Sequence, residues 1–440
     1  MYIFYSVLVL VVFVIASPWF AYQALRYRKY VGSLGQRMGY LPVSFNVDGD
    51  DSVWVHAVSV GEVLTARPLI ASLRQRYPGL RIFLSTTTLA GQQLARRSMP
   101  QVDAVFYFPF DLGLFVRRTL DLVKPRLFVM METEIWPVLL RECRARAIRT
   151  VVVNGRLSSR SFPRYRLIRP FMRRVLQDVD RFCVQSDESA RRFVELGADP
   201  AHVVVTGSLK FDSLEHAGQA RARDRVLRYF RLSASRPVVV AGSTMKGEEP
   251  YVLNAFRRIR AGSPTALLVL APRHPERFGE VEQMCRHEGW KTARRTELAI
   301  DAEPRADIIV VDTIGELATL YQIGTVVFVG GSLVPTGGHN VLEPAVFGRP
   351  IVFGPHMENF REIAKAFTSA GAAVQLGHEG QLETVLIDLL GDSVRRARLG
   401  AAARALVEAN RGAKDKTMVV IEALVQPASP SNVVPFRPIA

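Results

Sequence analysis

From residue 50 onward, short apolar runs alternate with longer stretches of helical spacing, and the alternation occurs in two blocks. In the first block, 53–58, 81–86, 105–108, 127–131, 150–153, 181–185 and 203–206 read as strands, with helices predicted over 65–77 and from about residue 91. A charged stretch, 213–235, lacks strand character and reads as a linker carrying a helix. The strand pattern restarts at 237–241, 266–271, 308–311, 325–329 and 350–353. Strands alternating with helices predict a parallel sheet covered on both faces. The expected class is therefore α/β, with two Rossmann-like, doubly wound domains, 36–212 and 236–415, facing a cleft. In such sheets ligands sit beyond the carboxyl ends of the strands. Residues 427–440 hold four prolines among Ser and Asn and read as a loose tail.

The amino terminus follows a different pattern. The first 25 residues carry no charge, and Arg26, Arg28 and Lys29 follow directly. As a helix, that stretch is roughly 37 Å long, enough for a bilayer core with some tilt. The basic flank places the rest of the chain on the cytoplasmic side. No basic segment precedes the apolar run, which argues against a cleaved signal peptide. Pro18 leaves an interfacial or hairpin arrangement open. The expectation is a membrane anchor over 1–25.

Charge narrows the partners. The net charge of +16 predicts something anionic: a nucleic acid, a membrane or a phosphorylated substrate. Twelve arginines lie between Arg141 and Arg181 against Glu142, Asp178 and Asp180. Beside an anchor, this reads as a patch for anionic lipid or a phosphorylated lipid substrate, and no nucleic-acid-binding module accompanies it. Cys143, Cys183 and Cys285 are too dispersed for a zinc site or a redox pair. Asp48 and Asp50 form a DxD, but they precede the first strand and read as a solvated turn. No GxGxxG, Walker A or HExxH motif is present, so neither a metal nor a cofactor is indicated.

Candidate chemistry gathers where predicted strands end. Glu62, in His56-Ala-Val-Ser-Val-Gly-Glu62, is either a helix-capping carboxylate or a general base toward a hydroxyl, and spacing alone leans to the cap. Glu132 and Glu134 follow the 127–131 run and could organise a cationic or hydroxyl-bearing group, or else Thr133 and Glu134 cap the next helix. Lys210 follows the last strand of the first block, as a solvated side chain or a partner for an anionic group. In the second block, Arg273 and His274 stand between prolines at a strand end, suited to phosphate. Ile314, Gly315 and Glu316 lie where a helix N-terminus offers N–H groups. The glycine-rich segment 330–343 is the strongest signal. Its four glycines permit close backbone approach, and Asn340, Val341, Leu342 and Glu343 open a helix whose carboxylate can accept two ribose hydroxyls.

Taken together, HAVSVGE, METEIWP, NGRLS, TGSLKFD, APRHPERF, DTIGEL and GGSLVPTGGHNVLEPA occur in an order and spacing that resembles the 3-deoxy-D-manno-octulosonic acid (Kdo) transferases of lipopolysaccharide assembly. The resemblance runs from the amino-terminal helix to about residue 410. It implies a GT-B fold, a CMP-Kdo donor and a tetra-acylated, bis-phosphorylated lipid A precursor as acceptor. It further implies metal-independent, inverting chemistry at the inner face of the inner membrane. Carried over, Glu62 is the general base, and Glu132 and Lys210 stabilise the transition state. Arg273 and His274, then Ile314 to Glu316, then Asn340 to Glu343 contact CMP. Two positions depart from the family pattern: Ile314 stands where Met is frequent, and Lys246 where His is common.

Overall fold

The computed structural model describes residues 1–27, 31–158, 161–213, 224, 226–233 and 235–425. The expected loose tail, most of the expected linker, and Arg28 and Lys29 lie outside the described residues. The chain forms two compact units, 1–213 with 411–440, and 214–410.

The first unit is built on seven parallel strands: β1 (Ser52–His56), β2 (Arg81–Thr86), β3 (Ala104–Tyr107), β4 (Pro125–Met131), β5 (Arg149–Gly155), β6 (Arg181–Val184) and β7 (Val203–Val205). Their order is β3-β2-β1-β4-β5-β6-β7, all parallel. Trp54, Phe83, Phe106 and Phe128 fill one face of this sheet. Val53, Val55, Leu84 and Val129 fill the other. This is the expected doubly wound pattern: strands covered on both faces read as nearly continuous apolar runs.

The second unit repeats the plan with β8 (Val238–Thr244), β9 (Leu267–Pro272), β10 (Thr292–Arg294), β11 (Ile308–Val310), β12 (Val326–Val329), β13 (Ile351–Phe353) and β14 (Val374–Gln375). The order is β10-β11-β9-β8-β12-β13-β14. β10 and β14 do not appear in the sequence pattern. They are three and two residues long, lie at the sheet edges and bury little. Within the stretch read as a linker, Val226 and Phe230 are buried, and Arg228 and Arg231 pair with Asp301, so this part is packed into the second unit.

The second unit ends at Asn410, and the helix Ala413–Val425 returns to the first. Its Ala413, Met418 and Ile421 belong to the first unit's core. Buried Asp212 fixes the start of this helix by accepting hydrogen bonds from the N–H groups of Gly412 (2.8 Å) and Lys414 (2.6 Å). The carboxylate thus acts as an N-cap supplied from two hundred residues away.

The amino-terminal helix spans Tyr2–Tyr27. The expected membrane-spanning anchor is not confirmed: among the described residues, no helix is long and apolar enough to cross a membrane. Part of the apolar surface faces protein instead of lipid. Tyr2 donates to Asp178 (2.6 Å), Tyr5 stacks on Phe171, and Phe13 meets Phe110 edge-on. Ile3, Phe4, Val7, Leu8, Val11 and Ile15 point away and are exposed.

Replacing Asp212 with Ala should cost about 1–2 kcal/mol, the range of a lost helix cap. Urea unfolding followed by a probe in the first unit checks this.

Candidate active site

In each sheet the strand order reverses direction at one place, between β1 and β4 in the first unit and between β8 and β12 in the second. Neighbouring connections diverge to opposite faces there and open a crevice at the carboxyl edge. Glu62 and Glu132 follow β1 and β4, and Asn340 and Glu343 follow β12, while Lys210, Arg273 and the turn 314–316 follow β7, β9 and β11.

In the first unit, β1 runs through Ser59 into the helix Val60–Arg76. Ser59 is the N-cap, in extended conformation. Glu62 reaches back over the first turn, accepting from the Val58 N–H (2.9 Å) and the Ser59 hydroxyl (3.0 Å). The capping geometry read from the sequence is therefore present. Burial lifts the carboxyl to about 7, and the charges of Glu132 and Glu134 push the same way, against the two donors. A cap that titrates near neutrality is also chemically usable as a base.

Glu132 leaves β4 in the left-handed region (φ 55°), a conformation costly for a residue with a side chain. Its N–H bonds the Val153 carbonyl at 2.9 Å, and its carboxylate lies 3.6 Å from the Lys210 ammonium. Lys210 is aimed from β5: Asn154, also left-handed (φ 57°), accepts from the Leu209 N–H at 3.0 Å and fixes the short helix Leu209–Asp212. The sequence reading had not singled out this role of Asn154. It also left His56 without a task. That side chain is fully buried at the end of β1, stacked on Phe108, with Nδ1 2.9 Å from the Ser85 hydroxyl and Nε2 3.8 Å from Glu134. Glu62, Glu132, Glu134, Lys210 and His56 thus form one acidic group with a single lysine.

In the second unit, Arg273 is held at the end of β9 by its N–H bond to the Thr244 carbonyl (2.9 Å). Its positive charge acts on Glu343, Tyr321 and His339 together. Burial raises the Glu343 carboxyl, while Asn340 and Arg273 oppose that rise. The Asn340 amide donates to Glu343 at 3.3 Å, and its oxygen accepts from the Leu342 N–H at 3.1 Å. His339 is pushed down to about 4 by burial and by the charges of Arg273 and His274, so its ring is neutral at physiological pH. Val341 and Leu342 point into the core, so a ligand would meet them only through backbone.

The turn 314–316 is held separately. Ile314 is 82% exposed, and Gly315 takes φ +88°. The Glu316 carboxylate accepts from the Thr313 hydroxyl (2.8 Å) and from Arg295 Nη2 (3.0 Å), and the Arg295 guanidinium lies 3.6 Å over the Tyr229 ring. The side chain of Glu316 therefore shapes the turn. Asp48 and Asp50 both pair with Arg81 at the surface.

Two parallel sheets of Rossmann type, with acidic, basic and glycine-rich loops at their carboxyl edges, define a GT-B-like architecture. Solved structures share it. The UDP-GlcNAc 2-epimerase of Neisseria meningitidis bound to UDP-GlcNAc has a TM-score of 0.56 at 12% identity, covering 85% of this chain and 99% of its own. A glycosyltransferase from Rickettsia africae has a TM-score of 0.54 at 9% identity, covering 87% and 100%. At such identities the likeness is one of fold.

Sequence relatives are more specific. The family model for 3-deoxy-D-manno-octulosonic-acid transferase (kdotransferase) matches residues 32–213. The 3-deoxy-D-manno-octulosonic acid transferase of Haemophilus influenzae is 33% identical over 395 residues, 90% of this chain and 92% of that protein. That of Bordetella pertussis is 34% identical over 382 residues, 84% and 86% respectively. This chain belongs to the Kdo transferase family.

The position of Glu62 has a consequence for stability. Its folded pKa, about 7, lies above the ordinary glutamate value of 4.5. The stability linked to this group is full below pH 4.5 and is lost as pH rises through 7. Glu62→Gln removes that loss, so the variant should gain on the wild type by roughly 2–3 kcal/mol between pH 4.5 and pH 8. Urea midpoints at the two pH values provide the check.

Proposed function

We propose that this protein transfers Kdo from CMP-Kdo to a tetra-acylated, phosphorylated lipid A precursor, with inversion and without a metal. The observation that carries the mechanism is the Glu62 carboxyl. It is held by two donors on the first turn of its helix and lifted to about 7, beside Glu132, Glu134 and Lys210. Ionised Glu62 takes the proton of the acceptor hydroxyl as that oxygen attacks the anomeric carbon of Kdo. The bond from this carbon to the phosphate oxygen breaks, and CMP leaves with the electron pair. Lys210, steered by Glu132, meets negative charge on the sugar acid in the transition state. Arg273 neutralises the departing phosphate, and neutral His339 offers an N–H donor without adding charge. Asn340 and Glu343 hold the nucleoside, and the turn 314–316 contacts it through backbone.

The acceptor reading draws on the family and on charge. The arginine-rich segment 141–181 suits lipid phosphates, and the exposed apolar residues of the Tyr2–Tyr27 helix lie in the same unit. This combination supports seating at the anionic cytoplasmic face of the inner membrane, with the helix in the interface.

Glu62→Gln should lower kcat by about 10²–10⁴, the usual contribution of general-base catalysis, while calorimetry finds CMP affinity intact. Normal turnover in that variant would end the mechanism. In the wild type, kcat/KM should rise with pH through about 7, since only the carboxylate accepts the proton. The slope should vanish in the residual activity of Glu62→Gln. Arg273→Ala should weaken CMP binding by about tenfold or more, the worth of a charged hydrogen bond. CMP, and not UDP, should raise the melting temperature of the wild type; protection by UDP alone would indicate a different donor.

A further inference from the structure

The glycine-rich loop after β12 resembles a phosphate-binding loop in composition, yet its consecutive N–H groups at 331–333 are already occupied. Glu248, fully buried just beyond β8, accepts four backbone hydrogen bonds. Its Oε2 takes the N–H groups of Met245 (2.8 Å) and Gly331 (2.7 Å), and its Oε1 takes those of Ser332 (2.9 Å) and Leu333 (2.8 Å). Three consecutive N–H groups converging on one anion form a nest, the arrangement that elsewhere captures a ligand's phosphate. Gly330 is required for this closure, because a Cβ there would stand 2.9 Å from Glu248 Oε2 and 2.7 Å from the Ser243 carbonyl.

The same peptide units carry the loop's shape onward. The Gly331 carbonyl accepts from the Gly338 N–H (2.7 Å) and from the Thr336 hydroxyl (2.9 Å). The Ser332 carbonyl accepts from the His356 N–H at 2.9 Å, and the Ser332 hydroxyl accepts from the Gly354 N–H at 2.8 Å. A Cβ on Gly331 would lie 2.7 Å from the His339 ring. Glu248 is therefore connected through the Gly331 peptide to Gly338, one residue before His339 and Asn340.

We propose that Glu248 is the resident anion of this nest and a positioning residue for the nucleotide site: it holds the loop in the form that presents His339, Asn340 and Glu343. This rests on the reading of that loop as the donor site. It also assigns the donor phosphate to side chains, Arg273 first among them, because the loop's own N–H groups at 331–333 are taken. A carboxylate is needed because four N–H donors converge on two oxygens. Glutamine would offer one acceptor oxygen and set an amide N–H₂ against the remaining donors.

The test uses the full chain and CMP. Glu248→Gln, nearly isosteric, is expected to bind CMP at least about tenfold more weakly, the equivalent of one lost charged hydrogen bond. The donor KM should rise with it, and the acceptor KM should hold. Glu248→Ala should lose more and regain affinity in formate, which can enter the vacated nest, but not in sodium chloride of equal ionic strength. Wild-type CMP affinity in Glu248→Gln, or a folded Glu248→Ala protein that formate does not restore, would overturn the proposal. Failure of CMP to bind the wild type would overturn the donor-site reading instead, so the two failures are distinguishable.

Discussion

A parallel sheet leaves one recurrent problem at its carboxyl edge. Each strand ends in a turn or a helix start whose first N–H groups have no carbonyl to meet. This chain answers with carboxylates. Glu62 bonds Val58 and Ser59, Asp111 accepts from Val138 and Leu139, and Glu248 takes four N–H groups around β8 and β12. Asp212 does the same for the returning carboxyl-terminal helix. Each bond removes an unpaired donor, and each places a buried or half-buried negative charge beside a switch point or a chain crossing. The acidity of the first unit's site is thus continuous with the way its backbone is satisfied.

That continuity explains why the sequence showed some parts plainly and hid others. Twelve of the fourteen strands among the described residues were legible because central parallel strands such as β1, β4, β8 and β12 carry a short, buried, mostly apolar run. β10 and β14 were hidden because a two- or three-residue edge strand carries no run of its own. The return of the chain at 411–425 was hidden for a related reason: a helix of ordinary amphipathic spacing does not state which sheet it covers. The amino-terminal helix was visible, but hydropathy counts Tyr2, Tyr5 and Phe13 the same whether they meet lipid or the rings of Phe171 and Phe110.

Among the site residues, legibility followed the directness of contact. Strand-end position was enough to nominate Glu62, Glu132, Lys210, Arg273 and Glu343. Residues that act by holding others were not nominated: Asn154 behind Lys210, and Glu248 behind the glycine-rich loop. Their only sequence signal is a polar residue in a buried stretch, and its partners lie 55 and more than 80 positions away. The glycine-rich loop also read too simply. Its composition suggests a backbone cradle, whereas the structure fills that cradle with the protein's own carboxylate.

The capping geometry of Glu62 and its proposed role as a base are therefore compatible. A carboxylate that only capped a solvated helix would be stabilised by its donors and held below its ordinary pKa. Here burial and two neighbouring acids outweigh the donors, and the group rises to about 7. The donors fix where the oxygens sit, and the desolvation fixes how strongly they hold a proton. Geometry alone would give a well-placed but feeble base, and burial alone a strong base free to turn away. Val58 and Ser59 supply the donors at the end of β1, and burial beside Glu132 and Glu134, which follow β4, raises the proton affinity.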